Sequence, residues 1–384
     1  MSNEFNSDQK RYLEGFVSGI QAGKLAGGGA KSAPETTGPD ASHSKAQEAT
    51  TTRGGKLVDQ EKWKRAEHPF DAYARLKGQA TRAEYPKPED NFRWRYFGLF
   101  YVAPAQNSYM CRLRIPNGIM KAHQLAGMAD VAEVHAGAYA HVTTRANLQI
   151  REIPAEKTIA VLEAIQDLGL CSRGSGADNI RNVTGGATAG IDAQEIADTR
   201  PLAREWHHHI LNDRSLYGLP RKFNVAFDGG GIIPTLEETN DIGFQAVEVP
   251  EGKGVPAGVW WRIVIGGISG HKDLARPTGV FCRAEECTPV ADAMLRIFIE
   301  QGDRTNRAKA RLKYVLDSWG FEKFIAETEK LLGKSLQRIP ESDALPRPAF
   351  DRKAHIGAWP QKQPGLHWLG VALPVGKLTT AQMR

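Results

Sequence analysis

The chain has 384 residues, of which 41% are hydrophobic and 24% charged, with a formal net charge of +6 and a pI near 9.0. This length allows two or three domains, and the composition is that of a globular, soluble chain. No apolar run of about 18 residues occurs, so no transmembrane helix is expected, and the polar start MSNEFNSDQKRYLEGF lacks the apolar core of a signal peptide. A cytoplasmic protein is expected. Excess positive charge suits an anionic ligand or an acidic partner. The basic residues stand singly in apolar settings, as in YMCRLRI, HVTTRAN and NIRNV, rather than in the stripe a nucleic-acid binder shows. A pocket for a small polyanion fits that scatter better.

In chain order, residues 6–24 read as one short helix. Residues 25–55 are rich in Gly, Ala, Ser and Thr and predict a disordered linker. Residues 58–90 read as charged and irregular. From Phe92, FRWRYFGLFYVAP and YMCRLRIPNG read as strands, and IMKAHQLAGMADVAEVHA has helical spacing. AYAHVTTRANLQIREI predicts two strands turning at TTRAN, and EKTIAVLEAIQDLGL a helix ending at Gly169. Alternating strands and helices over 108–170 predict an α+β unit of ferredoxin-like character.

A second unit begins near Cys171 with the Gly-rich stretch SRGSGADNIRNVTGGATAG. Then follow a helix (PLAREWHHHILND), three strands (RKFNVAFDGG, NDIGFQAVEV, VWWRIVIGGISG) and three helices ending near 335. Residues 339–348 are a proline-rich linker. Beyond it, IPNGIMKAHQL (115–125) recurs as LPVGKLTTAQM (373–383), with Pro116, Gly118 and Gln124 matching Pro374, Gly376 and Gln382 at one offset. Each copy follows a strand-like run and precedes a helix. A second ferredoxin-like copy therefore starts at the C-terminus. The expected organisation is 1–90 lead-in, 91–170 ferredoxin-like half-domain, 171–338 mixed α/β domain, and 339–384 linker plus incomplete repeat.

Cys111, Cys171, Cys282 and Cys287 form no C-x-x-C pair and read as structural. Cys282 and Cys287, five apart, fall on different faces of a helix. His207, His208 and His209 read as an exposed helix face. DGGG (228–231) lacks the context of a dinucleotide fingerprint. Four cations remain in apolar settings without a local acidic partner: Arg112 (with Arg114 on the same strand face), Arg145, Arg181 and Lys222. Glycines flanking Arg181 would let backbone approach a ligand. In LPRKFNVAF, Phe223, Val225 and Phe227 share one face, which leaves Lys222 and Asn224 on the other. Arg307 and Arg311 share a helical face and read as a solvated stripe or a second cationic wall.

Taken with FRWRYFGLF, MCRLRIPNG, HVTTRANLQIR, GADNIRNVTG, DTRPLA, LPRKFNVAF, NDIGF and PQKQPGLHWLGVALPVGKLT, the chain from about Asn91 onward resembles the assimilatory nitrite and sulfite reductases that use sirohaem. The resemblance implies two homologous halves around a sirohaem coupled to a [4Fe–4S] cluster, with this chain as the N-terminal part, ending before the cluster cysteines. It implies no metal ligand in the chain itself. By resemblance, Arg112, Arg181, Lys222 and Asn224 face the substrate, and Arg114, Arg145, Asn182, Arg307 and Arg311 hold the cofactor. The implied reaction is six-electron reduction of nitrite to ammonia, with an acidic ferredoxin as donor. Sulfite reduction, or a non-catalytic tetrapyrrole-binding or degenerate fragment, are the alternatives. Lys222-Phe223-Asn224 favours nitrite, since sulfite reductases of the family generally carry a second Lys at the position of Asn224; DTRPLA and PQKQ point the same way. Ala146, and Gly186 in TGG, depart from the Gln and Cys common in the family.

Overall fold

The protein, here a computed structural model, is described over residues 37–102 and 107–384. The helix expected over 6–24 lies outside the described residues. The linker expected over 25–55 is overturned from residue 41, where α1 (Ala41–Thr52) forms. Its sequence has no large apolar residue, which is why composition missed it. It is held by polar burial instead: His43, Ala46 and Gln47 are buried, and Gln47 Nε2 donates to Glu61 Oε2 at 2.8 Å. The stretch expected to be irregular carries α2 (Asp59–Ala66), α3 (Tyr73–Thr81) and α4 (Pro88–Trp94). In α4, Pro sits in the first turn with Glu89 and Asp90, and Arg93 in the last, as the helix dipole favours. The strand expected from Phe92 therefore starts only at Leu99, as β1 (Leu99–Val102).

From Pro39 to Arg384 the chain builds one compact unit around two five-stranded sheets. The first takes β1, β2 (Ser108–Arg112), β3 (Tyr139–Thr143) and β4 (Asn147–Ile153), with α5 (Ala122–His135) and α6 (Thr158–Asp167) as its helices. The order is β1-β2-β4-β3, all antiparallel, and β12 (Lys377–Thr379) adds beyond β3. Met128, Val131, Val161 and Ile165 of the helices pack on Tyr109, Cys111, Leu148 and Ile150 of the strands in one apolar cluster. This is the ferredoxin-like half-domain.

The second sheet is β5 (Val225–Asp228), β6 (Ile242–Val249), β7 (Gly258–Ile265), β8 (Arg276–Cys282) and β9 (Gln337–Arg338), in chain order. Only β5 and β6 run parallel. Helices α7 (Arg200–Asn212), α8 (Cys287–Gln301), α9 (Leu312–Trp319) and α10 (Phe321–Leu332) contribute to the core around it. A hairpin of β10 (Gly357–Pro360) and β11 (His367–Gly370) precedes β12, and α11 (Thr380–Met383) ends the chain. No described helix is long and apolar enough to cross a membrane.

The two copies of the repeat share their geometry. Each makes a one-turn 3-10 helix, Pro116–Gly118 and Pro374–Gly376, with positive φ at Asn117 (61°) and Val375 (49°). Each then starts a helix whose third residue, Gln124 or Gln382, accepts a hydrogen bond from the capping residue's N–H.

Two further expectations change. Cys282 ends β8 and Cys287 begins α8 across a tight turn, so they do not share a helix, and their Sγ atoms lie 3.7 Å apart. His207 is buried, with its pKa pulled down to about 3 by burial and by Arg114, and His209 pairs with Asp292; only His208 is exposed.

Candidate cofactor and anion site

Residues 171–186 run between the two sheets as an irregular segment that splices them through isolated β-bridges. Arg114 N–H donates to Cys171 O (2.7 Å) on one side, and on the other Arg181 N–H donates to Phe223 O (2.8 Å) and Phe227 N–H to Thr184 O (2.9 Å). This splice brings the turn after β3, the end of β2 and the start of β5 to one place. The glycines serve the splice rather than a ligand: a Cβ on Gly176 would stand 2.5 Å from Arg95 O, and one on Gly185 would stand 1.5 Å from Asn117 Oδ1.

Two cavities open there and share Lys222 and Asn224. One, of about 210 Å³, is lined by Arg112, Arg145, Arg181 and Asn182, with Thr143, Thr144, Asn147 and Ser175. The other, of about 200 Å³, is lined by Arg221, Arg307 and Arg311 with Thr239, His271 and neighbours. Among the described residues lining either cavity there is no Asp or Glu.

The structure thus brings together eight of the nine residues singled out from sequence. The exception is Arg114. Strand β2 stops at Arg112, and Arg114 turns inward, fully buried, with its guanidinium on Ile180 O (2.7 Å) and Arg181 O (3.2 Å). It braces the backbone beneath the site. Sequence reasoning missed Arg221, whose signal was its place beside Lys222. It also missed Asp241, a buried carboxylate behind the wall, inside NDIGF.

The cations are held by neutral groups. Arg181 donates to Ser175 O and Ala177 O, both at 2.6 Å. Arg145 donates to Asn240 Oδ1 and Asn182 O, both at 2.9 Å, and Asn182 Nδ2 returns bonds to Arg145 O and Ala146 O. Arg112 has no side-chain hydrogen bond among the described residues and lies over the Phe100 ring at 4.9 Å. Burial and mutual repulsion depress these groups: Arg181 to about 9, by burial and then Arg112; Arg145 to about 10, mainly by burial. Lys222 falls to about 8, by desolvation and then by Arg311, Arg181 and Arg221. By contrast Arg307 is paired with Asp178 (2.9 and 2.7 Å) and Arg311 with Asp241 (3.1 and 2.6 Å). The Nε atoms of Arg112, Arg145 and Arg181 and the Oδ1 atoms of Asn182 and Asn224 are buried without partners.

A protein-family model described as "Nitrite and sulphite reductase 4Fe-4S domain" matches residues 176–336, and one described as "Nitrite/Sulfite reductase ferredoxin-like half domain" matches residues 103–168. The chain belongs to the nitrite and sulphite reductase family. It is 36% identical over 316 residues to a ferredoxin–nitrite reductase of Leptolyngbya laminosa, covering 80% of this chain and 59% of that protein. It is 32% identical to the chloroplastic ferredoxin–nitrite reductase of Spinacia oleracea, covering 79% and 52%. The solved structure of the Mycobacterium tuberculosis NirA protein superposes with a TM-score of 0.77 at 25% identity, over 87% of this chain and 63% of that one. The chain spans between half and three-fifths of the length of these curated relatives.

Members of this family work with sirohaem and a [4Fe–4S] cluster. The two adjoining cavities fit a polycarboxylate such as sirohaem: six arginines and Lys222 line them, with no carboxylate among the described lining residues. The cluster does not fit the residues present. It needs four convergent thiolates. The only four cysteines lie on separate elements, and burial raises the thiols of Cys111 (to about 12), Cys171 and Cys287.

Proposed function

We propose that this chain provides the tetrapyrrole- and anion-binding part of a ferredoxin-dependent nitrite reductase. The observation that carries the reading is the set of uncompensated cations, Arg112, Arg145, Arg181 and Lys222, converging on cavities free of acidic side chains. Arg112, Arg145 and Arg181 are half-buried and Lys222 opens onto the cavities, so converging their charges without an anion is unfavourable and a polyanion would complete the site. Arg145 and Asn182 would hold carboxylates of the sirohaem, and Arg307 and Arg311, already paired with Asp178 and Asp241, would add only the donors those carboxylates leave free. When bound, sirohaem supplies the iron on which the anion is reduced. Arg112, Arg181 and Lys222 bind the anion's oxygens and stabilise charge as N–O bonds break. With a pKa near 8, Lys222 Nζ also passes a proton to a departing oxygen near neutral pH. Asn224 leaves the wall one cation short, which suits nitrite rather than the more highly charged sulfite. Six electrons per nitrite come from an acidic ferredoxin, whose charge complements the chain's net +6.

The test is absorbance of the full chain co-produced with sirohaem synthesis. A bound chromophore whose spectrum shifts on adding nitrite is expected, and retention of a folded chain with no chromophore overturns the reading. In the complete loaded enzyme, Asn224→Lys should raise the sulfite-to-nitrite turnover ratio roughly tenfold; an unmoved ratio removes Asn224 from the selectivity argument.

A further inference from the structure

Among the described residues, Asp241 is the carboxylate bonded both to Asn224, which the two cavities share, and to Arg311 in the wall of one. It is 1% exposed, immediately before β6. Its Oδ2 accepts the backbone N–H of Asn224 at 2.8 Å, and the same carboxylate grips Arg311 through Nε (3.1 Å) and Nη2 (2.6 Å). The neighbouring Asn240 offers Arg145 only a neutral amide oxygen, at 2.9 Å. Two adjacent residues thus treat two arginines differently, one cancelled and one left charged.

We propose that Asp241 is the positioning residue of the anion site: a single carboxylate that fixes Asn224 and cancels Arg311, so that Arg311 adds no net charge to the uncompensated cations beside Lys222. One cation fewer at the anion site favours a monoanion over a dianion. The inference rests on the reading of these cavities as an anion site and assigns its charge selectivity to a residue outside them. The charged groups around Lys222 are Arg311, Arg181, Arg221 and Asp241, and of these only Asp241 supports its protonated form.

The experiment follows amine acylation of Lys222 against pH by mass spectrometry in the full chain, without tetrapyrrole. Asp241→Asn keeps an acceptor for the Asn224 N–H but releases the charge of Arg311, and should lower the Lys222 midpoint by about one unit. Arg311→Met leaves Asp241 unbalanced and should raise it. The double variant should return near the native value, and because its charges balance it also guards against unfolding of either single variant. Shifts of opposite sign are not what a general loosening of the site produces. Protection of Lys222 by sulfate relative to nitrate, at equal ionic strength, should rise about tenfold in Asp241→Asn. Midpoints that stay put, or move the same way in both single variants, overturn the proposal, as does an unchanged sulfate-to-nitrate ratio. These readouts need no cofactor, so they stand or fall apart from sirohaem uptake.

Discussion

Two clusters of cations among the described residues, one buried and one half-buried at the cavities, are solved differently. Where α1 and α2 meet the core, Lys64 and Arg304 are buried, and each has an anion. Glu61 takes Arg304 at 2.7 Å and Lys64 on its other oxygen, and Asp178 stands 3.5 Å from Lys64. Backbone carbonyls of Leu219 and Ile299, and Gln47, fill the remaining positions. At the joined cavities, Arg112, Arg145, Arg181 and Lys222 have no carboxylate in contact. Carbonyls and amides hold Arg145 and Arg181 in place without cancelling their charge. Geometry is satisfied in both clusters, and charge is balanced in one. That difference separates a structural cluster from a site built for an anionic ligand.

The largest effect expected from this contrast is on stability at the balanced cluster. Glu61→Gln preserves shape and removes the anion shared by two fully buried cations. A loss of about 3–5 kcal/mol is expected from denaturant unfolding midpoints. A loss under about 1 kcal/mol would mean that the network is not compensating those charges.

At the unbalanced cluster the outcome should reverse. Arg112→Met replaces the guanidinium over Phe100 with a thioether and gives up no intramolecular hydrogen bond among the described residues, so stability should stay within about 1 kcal/mol of native. Affinity for the tetrapyrrole or for nitrite should drop about tenfold or more. A variant that unfolds easily yet binds normally would place Arg112 with Lys64 and Arg304 rather than with the site.

The same contrast explains what could be read from the sequence. The half-domain β2–α5–β3–β4–α6 was legible because its apolar residues recur at strand and helix periods within short stretches, and they are the residues that fill its core. Helices α1 and α2 were not, because their buried residues are His43, Gln47, Glu61 and Lys64, whose partners lie as far away as Arg304. Most of the site was legible as cations without local anions. Arg114 misled because strand alternation was extended two residues past the end of β2. Asp241 was invisible because its role depends on a contact with Arg311 seventy positions along the chain.

Lys222 gives the smallest and most discriminating effect, because Lys64 is its counterpart in the other cluster. Lys64 is fully enclosed and bonded to Glu61, Gly218 O and Leu219 O. Lys222 is exposed to the cavities and has a pKa near 8, against an ordinary value of 10.5. Its folded value lies below its unfolded one, so the unfolded chain binds more protons between those limits. Stability of the ligand-free chain should therefore rise as pH goes from 8 towards 10.5. Anion binding should move the other way, because the cation that attracts the anion is lost over the same range; affinity for nitrite should fall several-fold above pH 8. Acylation at pH 8 should mark Lys222 and spare Lys64. If neither affinity nor stability changed between about pH 8 and 10, Lys222 would be a solvated surface lysine, and the unbalanced cluster would rest on its arginines alone.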